Sequence, residues 1–314
     1  MKEKILSKRP VTFTRAILLV AVLVGIYYFL PQLKAFSHTF AVLEHSSWLW
    51  LFVGLVVAAL SFLAAAFTQY AAGNYTGKLS DIVLLQFAGS FVNHFLPFNI
   101  GGVNLTTRYY NKHGKSHAQA MVMSTIPVVF GIITTVLMVA IISPITLVDY
   151  FNQVHSIHLS GWLLVLTIIA LIILVIVGFI YRGKVRIFIL EALEGLKSIH
   201  GLKQLTSLLI GSLAITLTST VILFASMKAI HTTAPLVAIF ALYVTSSLIS
   251  NIAPTPGGIG AIEAVLVIGL VAMNLSLSQA AAITITYRFL TFWLPILPGG
   301  LALHRVNKYK IAGA

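Results

Sequence analysis

Glu263 and Arg288 are the residues of this chain best suited to act on a charged ligand, because each interrupts a sequence otherwise apolar enough to cross a bilayer. Glu263 follows Gly257-Gly258-Ile259-Gly260 within Ala261-Ile-Glu-Ala-Val-Leu-Val, and Arg288 lies in Thr286-Tyr-Arg-Phe-Leu-Thr-Phe-Trp. An ionisable side chain at membrane depth costs a few kcal/mol, so it faces a cavity or a charge partner. Two roles fit: a structural Glu263–Arg288 ion pair, and direct contact with substrate. They are compatible, since a buried pair can open to a charged ligand.

The elements that would position these groups are two matching interruptions. Asn93-His-Phe-Leu-Pro97-Phe-Asn-Ile-Gly101-Gly102 breaks an apolar region near 80–112, and Asn251-Ile-Ala-Pro254-Thr-Pro256-Gly257-Gly258 breaks another near 235–275. Proline removes a backbone donor and glycine weakens a helix further. In lipid, such breaks persist only where the freed backbone is buried in protein or lines a cavity. Matching interruptions in two halves of a membrane protein point to a transporter's binding site. Half-helices starting after Gly102 and Gly258 would offer free N–H groups and a partial positive charge to phosphate or carboxylate.

The substrate-binding candidates are therefore Asn93, Pro97, Gly101, Gly102, Arg108, Asn251, Pro254, Pro256, Gly257, Gly258, Glu263 and Arg288. Arg108 is placed to draw a phosphate headgroup inward, or else serves with Lys112 and Lys115 as an ordinary topology signal. The amides Asn93, Asn99, Asn104 and Asn251 suit a headgroup or simply satisfy broken backbone. His94, in the first interruption, is a candidate for proton coupling by position alone. His155 and His158 lack a third ligand, so no metal site is expected. Gly257-Gly-Ile-Gly260 lacks the ending of a P-loop, and the seven acids form no catalytic triad by spacing. No catalytic residue and no cofactor is assigned.

Composition sets the class. The chain is 59% hydrophobic and 9% charged over 314 residues, which describes a polytopic membrane protein forming a single integral membrane domain, 1–314, with halves near 1–160 and 161–314. The net charge of +13 resides in short loops, fitting topology signals and anionic lipid contact and not nucleic acid. Cysteine is absent, which removes disulfides and thiol chemistry. The apolar run 13–30 follows several basic residues but no cleavage site, so it is read as an uncleaved first span.

Uninterrupted spans are expected near 13–30, 47–72, 118–143, 161–181, 205–228 and 278–298. If both broken regions return to the face they leave, the basic residues sort cleanly. Of the 20 Lys and Arg, all but Lys34, Lys228 and Arg288 then share one face. By the positive-inside rule that face, with both termini, is cytoplasmic. The fold expected is all-α and polytopic: about six full spans plus two oppositely oriented re-entrant helical hairpins in an inverted repeat. Residues 184–203 have the spacing of an amphipathic surface helix, most simply a connector between halves.

Together, Pro97-Phe-Asn-Ile-Gly-Gly with Arg108, Pro254-Thr-Pro-Gly-Gly-Ile-Gly-Ala-Ile-Glu263, and Tyr287-Arg with Trp293 and Pro295 resemble the lysylphosphatidylglycerol synthase transmembrane family. The resemblance spans nearly the whole chain and extends to the membrane domain of the bacterial multiple peptide resistance factor. It implies a bacterial plasma-membrane protein that flips aminoacylated phosphatidylglycerol made by a C-terminal cytosolic synthase domain. The chain stops about ten residues after its last span, so that catalytic domain is expected to be missing. The leading reading is a translocase for an anionic or aminoacylated phospholipid such as lysyl-phosphatidylglycerol. The alternatives are a lysyl-tRNA-dependent phosphatidylglycerol lysyltransferase, or its membrane subunit, and a non-transporting scaffold. The partners expected are a membrane phospholipid and a separately encoded synthase domain. A homo-oligomer is compatible, and no nucleic acid is bound directly.

Overall fold

The structure, a computed structural model, describes residues 46–96, 100–154, 199, 201–252 and 256–313, with the backbone alone for 139–154, 249–252 and 256. The expected spans 13–30 and 161–181 and most of the 184–203 helix lie outside the described residues. Every regular element within them is a helix. In chain order these are α1 (Trp48–Ala72), α2 (Leu79–Asn93), α3 (Ile100–Lys112), α4 (His117–Val154), α5 (Leu202–Ala229), α6 (Leu236–Ile252), α7 (Ala261–Ala272), α8 (Leu277–Arg288) and α9 (Ile296–Lys308). A 3₁₀ turn, Pro256–Gly258, separates α6 from α7, and a π turn, Phe289–Trp293, joins α8 to α9.

Four helical stretches are long and apolar enough to cross a membrane: Trp48–Ala72, His117–Met138, Leu202–Ala229 and the continuous Leu277–Lys308. By contrast α2, α3, α6 and α7 have 15, 13, 17 and 12 residues. At about 1.5 Å per residue each falls short of a ~30 Å hydrocarbon core. They pair as two hairpins, α2 with α3 and α6 with α7. The first returns to the end it leaves, because the Tyr109 hydroxyl near the end of α3 accepts the Lys78 N–H just before α2 at 2.9 Å.

The long helices α1 and α5 pack antiparallel. The Ser47 N–H donates to Ala229 O (2.9 Å) at one end, and Gln204 Nε2 donates to Ala71 O (3.0 Å) at the other. Lipid supplies no hydrophobic drive between helices, so small residues that let backbones approach carry the packing. Gly211 fits under Thr68 and Gly299 under Phe91, and a Cβ at either position would collide with that neighbour. The pairings repeat across the chain: α1 lies on α2 as α5 lies on α6, and α3 packs on α4 as α7 packs on α8.

Basic groups collect at one end of the bundle. Lys112 Nζ donates to Lys310 O (2.7 Å), Arg108 Nη2 to Gly313 O (3.3 Å), and the Tyr75 hydroxyl to Lys203 O (3.4 Å), on the same side as Lys78. Lys228 sits at the opposite end beside the start of α1. Trp48, Phe52, Leu63 and Ile210 are exposed on the outer faces, as lipid-facing side chains are.

Candidate functional site between the two hairpin tips

The first tip is held without charge. Asn93 ends α2 and its Oδ1 accepts the Gly102 N–H at 3.0 Å, so the start of α3 is satisfied by a neighbouring amide. The helices can close this far because Gly89 faces Gly102, where an added Cβ would come within 2.8 Å of the Gly102 Cα.

The second tip is held by charge and by backbone that glycine alone adopts freely. Gly257, Gly258 and Gly260 have φ of 59°, 67° and 87°. A Cβ at Gly257 would also drive into the Phe292 ring. Glu263, in the first turn of α7, accepts the Gly260 N–H at Oε2 (2.7 Å) and the Arg288 Nε–H at Oε1 (2.7 Å). Arg288 Nη2 donates to Gly257 O (3.2 Å), and the guanidinium carbon stands 4.1 Å from the Phe292 ring centre. Arg288 therefore clamps both ends of the glycine turn. Its side chain is 7% exposed and that of Glu263 21%.

The last span is broken where it passes these tips. Pro295 has no N–H for the carbonyl of Thr291, and the chain widens into a π turn in which the Leu294 N–H bonds Phe289 O at 2.9 Å. His94, just past α2, reaches this turn. Its Nδ1 lies 2.6 Å from Ser90 O and its Nε2 2.8 Å from Phe292 O, with the two rings 3.9 Å apart.

Both tips open on one cavity of about 360 Å³, lined also by residues of α1, α5 and the π turn. Its polar lining comprises Ser61, Gln86, Ser90, Asn93, Ser219 and Thr291, together with His94, Tyr287 and Arg288. Because Arg288 is balanced by Glu263 behind it, the fixed charges at the cavity cancel. The arrangement can hydrogen-bond a polar group and offer a guanidinium to an anion.

Of the sequence candidates, Asn93, Gly102, Gly257, Gly258 and Arg288 line this cavity. Gly101 packs beside it on Val92 and Asn93, and Glu263 supports Arg288 from outside the lining. Arg108 is exposed at the basic end, on Gly313 O, and does not line it. Pro97, Asn99 and Pro254 lie outside the described residues, and Asn251 and Pro256 are described by backbone alone. The expectation that both half-helix N-termini stand free for an anion is narrowed, since Asn93 and Glu263 each already take an N–H there. Sequence reasoning missed Ser61, Gln86, Ser90, Ser219 and Phe292. Hydroxyls within long apolar spans were the available signal for Ser61 and Ser219. Among the described residues no group of three His, Cys, Asp or Glu could hold a metal.

Residues 16–299 match the family described as the lysylphosphatidylglycerol synthase TM region. The chain belongs to this family. The matched span of this lysylphosphatidylglycerol synthase TM region contains both tips, the π turn and every residue lining the cavity. No curated protein matches the chain.

Proposed function

We propose that this chain is a translocase for an anionic or aminoacylated phospholipid of the bacterial plasma membrane, with lysyl-phosphatidylglycerol the substrate its family membership favours. The observation that carries this reading is the meeting of two broken hairpins at one polar cavity inside a bundle with apolar outer faces. A volume of about 360 Å³ suits a headgroup, and acyl chains would remain in the bilayer. Arg288 attracts the phosphate, and Glu263 receives a lysyl ammonium when the pair opens. In this reading the hairpins are re-entrant from opposite faces, the halves form an inverted repeat of about six spans, and both termini are cytoplasmic. The antiparallel packing of α1 on α5 and the basic end of the bundle support that topology.

A leaflet-accessibility assay in proteoliposomes tests the function: phospholipid exchange between leaflets is expected, and a purely scaffolding protein would give none. Cysteine labelling of Lys78→Cys and Lys112→Cys on the cysteine-free chain tests the topology. Labelling of the two from opposite sides would overturn the re-entrant arrangement. The family description also favours a second reading, the membrane portion of a phosphatidylglycerol lysyltransferase. Lysyl-phosphatidylglycerol made from lysyl-tRNA and phosphatidylglycerol by the purified chain would establish that reading instead.

A further inference from the structure

Among the described residues His94 faces two hydrogen-bond acceptors and no donor. Both ring nitrogens point at backbone carbonyls, Ser90 O at 2.6 Å and Phe292 O at 2.8 Å. A neutral imidazole carries one N–H, so at one of these contacts a lone pair would face a carbonyl oxygen. Turning the ring over does not help, because carbons would then replace both nitrogens. Only the doubly protonated ring donates to both.

We infer that His94 is the proton-binding site of the cavity, its imidazolium clamping the first hairpin tip to the π turn of the last span and releasing that turn or Ser90 when the proton leaves. The role in transport rests on the translocase reading above; the proton-dependent clamp does not.

The surroundings leave this role to His94. Among the described groups lining the cavity, the others that can carry charge are Arg288, held by Glu263, and Tyr287, all from the second hairpin and the last span. From α1 come Ser61 and Phe62, from α5 Ser219, and from α2 and α3 Gln86, Asn93 and Gly102, none of which titrates. With the Glu263–Arg288 pair neutral, a phosphate group gains a net counter-charge from the proton on His94. Anion uptake and proton uptake then become one event. A phosphodiester anion and a proton would travel together without net charge.

The test uses full-length protein in lipid nanodiscs with isotope-labelled histidine nitrogens and phenylalanine carbonyls, titrated from about pH 5 to about pH 8. The ring next to Phe292 identifies itself by its proximity to a labelled carbonyl, so no variant is needed. Both nitrogens should carry protons at the acid end, and loss of one as pH rises should lengthen a carbonyl contact. A single neutral tautomer across the whole range, or a titration that leaves both contacts unchanged, overturns the inference. In proteoliposomes containing phosphatidylglycerol, one proton per lipid shifts the leaflet ratio by up to about tenfold per pH unit of gradient. His94→Gln should abolish that response, and a response undiminished in His94→Gln overturns the coupling. Absence of translocation by the wild type at every pH would count against the lipid reading alone, since the spectroscopic titration decides the clamp.

Discussion

The two hairpin tips carry the same sequence signature, proline near a Gly-Gly pair, and use it for different physics. At the first tip the glycines permit close approach: Gly102 meets Gly89, and the uncharged Asn93 closes the helix start. At the second, the glycines supply left-handed backbone, and the partly buried Glu263–Arg288 pair fastens the turn from both sides. Within its own hairpin the first tip is thus a packing joint, sensitive to bulk, its charge-dependent contact being the His94 clamp to the last span. The second is an electrostatic joint closed on itself by an ion pair. A cavity between unlike joints can respond to a ligand's shape on one side and its charge on the other.

The two tips differ most at Arg288. Arg288→Leu leaves Glu263 partly buried without its partner and should destabilise the protein by about 3–5 kcal/mol, read as thermal unfolding in nanodiscs. Adding Glu263→Leu should recover most of that loss; no recovery would mean that the pair is not what holds the tip. Glu263→Gln keeps the shape of the side chain, and should abolish translocation while the protein still inserts. Wild-type translocation by a well-folded Glu263→Gln protein would remove this carboxylate from the transport site.

The glycines separate the joints at smaller magnitude. Gly257→Ala forces an L residue into left-handed backbone, about 1–2 kcal/mol before its contact with Phe292 is counted. Gly102→Ala has no such conformational cost, and an added Cβ would meet Asn93 Nδ2 at 3.2 Å, so its effect should stay within about 1 kcal/mol. A larger loss at Gly102 than at Gly257 would reverse the distinction drawn between the tips. Asn93→Ala frees the Gly102 N–H and should cost about 1 kcal/mol by the same unfolding measurement. Smallest is Arg108→Ala, on the exposed basic end, expected within about 0.5 kcal/mol and without effect on leaflet exchange.

Much of this was legible in the chain because membranes punish exceptions. Pro, Gly-Gly and lone charges within apolar sequence mark breaks and buried partners, and that logic located both tips and brought Glu263 to Arg288. What could not be read were contacts between side chains and distant backbone. Phe292 O has no identity in sequence, so its approach to His94 left no trace. Residues 278–298 read as an uninterrupted span, so neither the π turn at Phe289–Trp293 nor its approach to His94 was foreseen. The capping of Gly260 by Glu263 was hidden because a carboxylate three residues into a helix reads equally as cap, ion-pair partner or ligand. The placement of Arg108 on the carbonyl of Gly313 follows from where the chain's end folds, which periodicity does not encode.

The clamp between His94 and the last span joins residues 198 positions apart. At a synthesis rate of about 5–20 residues per second, the first tip is made about 10 to 40 s before Phe292 exists. Through that interval Asn93 and Gly102 can already close on each other, but the imidazole has no Phe292 carbonyl to meet. The cavity is therefore completed late, with only α9 and the residues after it still to come, and until the last span arrives a half-built polar pocket stands in or beside lipid.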